Sequence, residues 1–197
     1  MRRFILVFLL VVFGWGLFSQ RVFSRSDTIL MIIANRGFRD EEFFTPYNFF
    51  QREGFKVVVA SDKRTEATGM LGGKFLPDSA VENIDNIDKF AAIILPGGIG
   101  STVFWNNAYV KGIIKDAYGK GKVIGALCLS PVTLAKAGVL KGKRATVWYT
   151  EADYLRSKGV RYVSEDVVVD GNIVTASGPQ AAAKFAQAVI NLLRRKK

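Results

Sequence analysis

Four short runs of uninterrupted apolar residues constrain this chain more than any other feature: 28–34 (TILMIIA), 56–61 (KVVVAS), 90–98 (FAAIILPGG) and 122–128 (KVIGALC). None alternates polar with apolar, so each reads as a strand buried on both faces. Strands of that kind need a mostly parallel sheet with helices on either side. The intervening sequence supplies the helices. Residues 40–52 open on Asp40, Glu41 and Glu42, which suit a helix N-terminus, carry Pro46 in the early turns, and end before Gly54. Further helices are expected over 108–121, 131–137, 151–159 with Thr150 as N-cap, and 180–193 with Phe185, Val189 and Leu192 on one face. Residues 144–148 (RATVW) read as another strand, 62–89 as a short hairpin or crossover, and 166–177 as a hairpin turning at Asp170-Gly171 in type I′ geometry.

In a sheet of this class the ligand crevice lies beyond the carboxyl ends of the strands. Residues 35–42, 96–101 and Cys128 all follow such ends. The pattern therefore brings Glu41 or Glu42, Gly97, Gly98 and Cys128 together. A cysteine on a sharp strand-to-helix turn faces backbone N–H groups, which favour the thiolate. The same groups can hold an oxyanion, with the N–H of Leu129 as one donor and the Gly97-Gly98 turn as the source of the second.

Cys128 is the only cysteine, and the chain contains no histidine. No internal disulfide can form, and only carboxylates remain as metal ligands, so neither a metal nor another cofactor is expected. The net charge of +11 suggests a nucleic-acid binder until it is located. Arg2, Arg3, Arg21, Arg25, Arg194, Arg195, Lys196 and Lys197 lie in the two tails, and the remaining 20 basic residues face 17 acidic ones. A nearly balanced body with basic ends argues against nucleic acid as a partner.

Ahead of the first strand, two arginines precede an apolar run from Phe4 to Phe18, the pattern of an export signal. At roughly 1.5 Å per residue the run falls short of the roughly 30 Å bilayer core. Val22-Phe23-Ser24 offers the best cleavage site. The expectation is an exported or membrane-anchored protein with its domain outside the cytoplasm. The chain divides into 1–26 (signal or anchor), 27–194 (the folded domain) and 195–197 (a basic tail).

"ANRGFRDEEFFTP", "AAIILPGGIG", "GKVIGALCLSPVTLAKAGVLKGKRAT" and "DVVVDGNIVTASGP" resemble, in order and spacing, the ThiJ/PfpI family of the DJ-one superfamily. The resemblance implies a flavodoxin-like three-layer α/β sandwich of the class I glutamine-amidotransferase type. It makes Cys128 the nucleophile-elbow cysteine and implies a homodimer or higher homo-oligomer. It also makes Glu42, four residues before the proline, the carboxylate partner rather than Glu41. Hydrolytic members carry histidine directly after the cysteine, where this chain has Leu129. The stress-protection branch often has one in the segment aligned with "ATVWYT", where Trp148 takes its place as a pocket residue. A Cys–His peptidase mechanism is therefore disfavoured, since no copy of this chain can supply the base.

What remains is a Glu–Cys pair. A protonated Glu42 can hydrogen-bond a Cys128 thiolate and shuttle protons during addition to small carbonyl compounds, a glyoxalase- or deglycase-like activity in stress protection. The alternatives are a non-enzymatic redox sensor or chaperone signalling through oxidation of Cys128, and a degenerate scaffold.

Overall fold

The computed structural model describes residues 28–196. In chain order the elements are β1 (Thr28–Ile33), β2 (Arg36–Phe38), α1 (Asp40–Arg52), β3 (Lys56–Ser61), β4 (Ala67–Gly69), β5 (Lys74–Phe75), β6 (Ser79–Ala80) and β7 (Ala92–Leu95). They continue with α2 (Ala108–Gly119), β8 (Val123–Leu127), α3 (Pro131–Lys136), β9 (Arg144–Ala145), α4 (Ala152–Ser157), β10 (Arg161–Tyr162), β11 (Val167–Asp170), β12 (Ile173–Ala176) and α5 (Ala182–Arg195).

Seven strands form the central sheet in the order β11-β12-β8-β7-β1-β3-β6. Every pairing is parallel except β11 with β12. β1 shows why its sequence lacks alternation. Ile29 to Ile33 are fully buried; Leu30 and Ile32 face a core shared with α2, α3 and α4, whereas Ile29, Met31 and Ile33 face one shared with α1 and α5. Two cores on opposite faces make the flavodoxin-like three-layer sandwich.

The smaller elements depart from the sequence pattern. The strand at 144–148 stops at Ala145, where it pairs with β10 outside the main sheet. Beyond it the chain turns inward, and the Thr146 N–H donates to the Thr175 hydroxyl at 2.9 Å. Thr150 does not cap α4, because its hydroxyl turns to the Glu151 carboxylate. The β11–β12 turn is Gly171-Asn172; Gly171 alone has a positive φ, +62°, which excludes type I′. In α5 the deeply buried stripe is Phe185, Val189 and Leu193, at strict i, i+4 spacing, while Leu192 sits at its edge.

The expectation of an exported or membrane-anchored protein is corrected. Among the described residues no helix is long and apolar enough to cross a membrane. The longest, α5, has 14 residues, about 21 Å of rise against a core of roughly 30 Å. The segment 1–26 on which that expectation rested lies outside the described residues.

Candidate active site

The crevice is built where β1, β7, β8 and β12 end. Beyond β8, Cys128 takes φ +57°, the only positive φ of a non-glycine residue among those described. That conformation costs an L residue about 1–2 kcal/mol and persists only when the surroundings fix it. Here both main-chain groups are tied. The Cys128 N–H donates to the Ala176 carbonyl at 2.9 Å, and the Cys128 carbonyl accepts from the Trp148 N–H at 2.8 Å. Ser130, fully buried, donates its hydroxyl to the Pro96 carbonyl at 2.7 Å and so joins the elbow to the turn after β7. Pro131 then starts α3, where its missing N–H costs nothing.

The three acids at the start of α1 have three different tasks. Asp40 accepts from the N–H groups of Leu71 and Gly73, both at 2.7 Å, and anchors the β4–β5 hairpin. Glu41 accepts two bonds from the Arg39 guanidinium, at 2.8 and 3.1 Å. Glu42 turns inward, is fully buried, and accepts the Gly97 N–H on Oε2 at 2.8 Å. Its Oε1 has no donor in hydrogen-bond geometry. From the crevice the Cys128 thiol acts on this carboxyl as a side-chain partner and Arg39 as a charge, and the Glu42 charge in turn acts on the sulfur.

The two glycines divide the work. Gly97 spends its N–H on Glu42 and its carbonyl on the Arg39 N–H at 3.0 Å. The Gly98 N–H faces the sulfur, as does that of Leu129. A Cβ on Gly97 would lie 2.6 Å from the Cys128 Cβ, 2.7 Å from Glu42 Oε2 and 2.7 Å from the Leu127 carbonyl oxygen. Since the last of these is backbone, Gly97→Ala is expected to destabilise the fold by about 1–3 kcal/mol. Urea unfolding measures this, and an unchanged midpoint would show that the turn relaxes freely.

Burial pushes the Glu42 carboxyl from 4.5 up to about 7, against the opposing pull of the Gly97 N–H, Cys128 and Arg39. Burial, and next the Glu42 charge, push the Cys128 thiol up to about 12. The N–H groups of Gly98 and Leu129 draw it down and are outweighed. The lowered thiol expected from those amides is therefore absent, first because of burial and next because of the Glu42 charge. Two groups coupled so closely titrate as a pair. The first proton leaves near 7, and the monoanion that remains has two tautomers. In one the charge is on Glu42; in the other it is on sulfur, facing the two amides, with Glu42 protonated.

Around the pair lies a cavity of about 260 Å³. Met70, Ile99, Leu129, Trp148 and Pro179 give it apolar walls, and Cys128, Glu42 and Arg39 its polar groups. Cys128, Glu42, Gly98, Leu129 and Trp148 all meet there, with Gly97 just behind the carboxylate. Sequence reasoning reached Arg39 and Ile99 only as members of the crevice stretches 35–42 and 96–101, and it missed Met70 and Pro179. Pro179 follows the carboxyl end of β12, so the crevice rule applied to that strand would have found it. Met70 belongs to the short hairpin and leaves no sequence signal. Among the described residues no group of three His, Cys, Asp or Glu side chains could hold a metal ion.

Comparison with known proteins gives a family match over nearly all the described chain. The model of the DJ-1/PfpI family matches residues 27–192. The protein MJ0967 of Methanocaldococcus jannaschii is 44% identical over 180 residues, 90% of this chain and 87% of its own. A Thermococcus kodakarensis protein named Deglycase TK1284 is 33% identical over 84% of this chain and 99% of its own. Among solved structures, a ThiJ/PfpI domain protein from Brachyspira murdochii superposes with a TM-score of 0.83 at 31% identity, covering 86% of this chain and 97% of that one.

Proposed function

The chain belongs to the DJ-1/PfpI family, and from that premise we propose that it is a cysteine-dependent enzyme acting on small carbonyl compounds, deglycase- or glyoxalase-like, in stress protection. One observation carries the reading. A nucleophile held at a strained elbow faces two backbone N–H groups and one protonatable carboxyl inside a cavity with apolar walls. The relative named a deglycase supports the substrate class.

The chemistry needs no histidine. The Cys128 thiolate adds to the aldehyde carbon of a 2-oxoaldehyde, forming a C–S bond while the carbonyl π pair moves to oxygen. That oxyanion meets the N–H groups of Gly98 and Leu129 and takes the Glu42 proton. The Glu42 carboxylate then removes the hydrogen of the former aldehyde carbon as a proton and returns it to the adjacent carbon, while the hydroxyl proton passes to the adjacent carbon's oxygen, leaving the thioester of a 2-hydroxy acid. Water cleaves the C–S bond and restores the thiol. The sum is one water added, with no external oxidant or reductant. Cys128 and Glu42 are the catalytic residues of this reading, Gly97 holds the carboxyl, and Trp148 walls the pocket. A homodimer or higher oligomer is proposed with it.

The coupled pair gives the test. The alkylation rate of Cys128 with iodoacetamide is expected to rise as pH passes about 7, where the pair loses its first proton, rather than only near an ordinary thiol's value of about 8.5. In Glu42→Gln, which lacks the charge that raises the thiol, the step near 7 should give way to a single rise that continues to a higher plateau. Identical profiles in the two proteins would show that the carboxyl does not act on the sulfur.

The same two amides favour a second reading, oxidation of Cys128 as a signal. Hydrogen peroxide transfers one oxygen to the thiolate and leaves as hydroxide, giving a sulfenate. Intact mass after mild peroxide should then show one oxygen on Cys128 before any on methionine.

A further inference from the structure

Trp148 belongs to two cavities at once. It walls the Cys128 pocket, and it also walls a second cavity of about 200 Å³ whose lining is of a different kind. The Gly178-Pro179-Gln180 turn is shared in the same way, with Pro179 on the first cavity and Gln180 on the second. Gly178 lies flat on the indole, since a Cβ there would come within 2.9 Å of Trp148 Cζ3, and this fixes the ring between the two spaces. Small-molecule sites run from roughly 300 Å³ upward. Each cavity alone falls below that range, and the two together lie within it.

The second cavity presents dipoles and aromatic faces rather than net charge. Its carboxylates, Glu165 and Asp166, are paired with Arg144 at 3.1 Å and Lys184 at 3.8 Å. Gln180 donates to the Ser177 hydroxyl at 3.2 Å, which leaves its own carbonyl oxygen available to a ligand hydroxyl. Thr146 also lines the cavity; it is fully buried, and its hydroxyl has no partner. That hydroxyl has no accessible surface and lies behind the cavity wall, so the Gln180 carbonyl is the acceptor that a ligand hydroxyl would meet. Tyr149, tilted against Trp148 at 5.2 Å between centroids, adds a second aromatic surface.

We propose that this cavity is the subsite for a neutral, hydroxylated tail of the substrate, whose carbonyl lies on Cys128. The inference rests on the carbonyl-directed reading above and deepens it: the preferred substrate is a sugar-derived carbonyl compound rather than a bare dicarbonyl. A cationic amine, the other ligand an acidic cavity suggests, fits less well because both carboxylates already have partners.

The test compares kcat/KM of the full chain for 3-deoxyglucosone, a 2-oxoaldehyde with a hydroxylated tail, and for methylglyoxal, which has none. The ratio is expected to favour the hydroxylated compound by at least about tenfold. Losing one neutral hydrogen bond of about 1 kcal/mol should lower that ratio about fivefold in Gln180→Leu and equally in Gln180→Ala. A ratio near one, or a ratio that these variants do not move, overturns the subsite. A binding arm separates this failure from failure of the chemistry. Cys128→Ala is titrated calorimetrically with sorbitol, a polyol without a carbonyl, and with N-acetyllysine amide. Sorbitol binding that Gln180→Leu weakens about fivefold, in a protein whose wild type consumes neither carbonyl, keeps the subsite and strikes the proposed activity. Turnover of methylglyoxal with no sorbitol binding strikes the subsite alone. Preference for the lysine derivative overturns it in favour of an amine site.

Discussion

Purified Cys128→Ala protein is expected to consume methylglyoxal no faster than buffer does, a fall of at least about 10³-fold from the wild type. The size follows from the absence of a substitute. With no other cysteine and no histidine in the chain, nothing else can form the C–S bond, and Glu42 alone cannot activate water against a carbonyl it cannot reach covalently. The variant should fold normally. Its main-chain bonds to Ala176 and Trp148 do not involve the side chain, and alanine at φ +57° carries much the same strain as cysteine. Thermal unfolding therefore controls for structure. A shared background rate in wild type and variant would remove the enzymatic reading.

Glu42→Gln should stabilise the protein at high pH and leave it unaffected at low pH. The folded carboxyl titrates at about 7, against 4.5 ordinarily, so the native state binds this proton more tightly than the unfolded chain does. The resulting stability is fully present below 4.5 and is lost as pH rises through 7. At roughly 1.4 kcal/mol per unit the loss amounts to about 3 kcal/mol. Glutamine keeps an oxygen for the Gly97 N–H and has no charge to desolvate. The variant is expected to match the wild type at pH 4.5 and to exceed it by about 3 kcal/mol at pH 8, roughly 6–12 °C in Tm for a chain of this size. Taking the difference between the two proteins cancels every other titrating group. A constant difference across that range would place the Glu42 proton elsewhere. Activity should fall in the same variant, which makes this a position where stability is spent on function.

The sheet was legible because burial on both faces leaves a mark in sequence. β1 and β3 were found with the right register of ends, since runs such as TILMIIA have few other uses. Short elements leave no such mark. The strand at 144–148 shortened because the Thr146 N–H goes to the Thr175 hydroxyl and the Trp148 N–H to the Cys128 carbonyl, a tertiary demand that β-propensity cannot show. The site was legible as far as strand ends and the family motif reach, namely Cys128, Glu42, Gly98 and Leu129. It was not legible where neighbours decide. Asp40, Glu41 and Glu42 look equivalent in sequence, and only the resemblance selected Glu42; the geometry shows that they are separated by which loop each faces. The thiol's ionisation was misjudged for a related reason. Sequence showed the amides that lower it, but not the extent of burial that raises it.

Glu42 meets Gly97 across 55 residues of chain and Ser130 meets Pro96 across 34; Cys128 is held by Ala176 and Trp148 from still later segments. No fragment that stops short of the span from Arg39 to Pro179 contains the crevice. During synthesis and in any misfolded form, Cys128 is an ordinary thiol with neither its carboxyl nor its amides. The perturbed titration of this sulfur is thus acquired only with the finished sheet, and it serves as a chemical report that the whole chain has reached its native state.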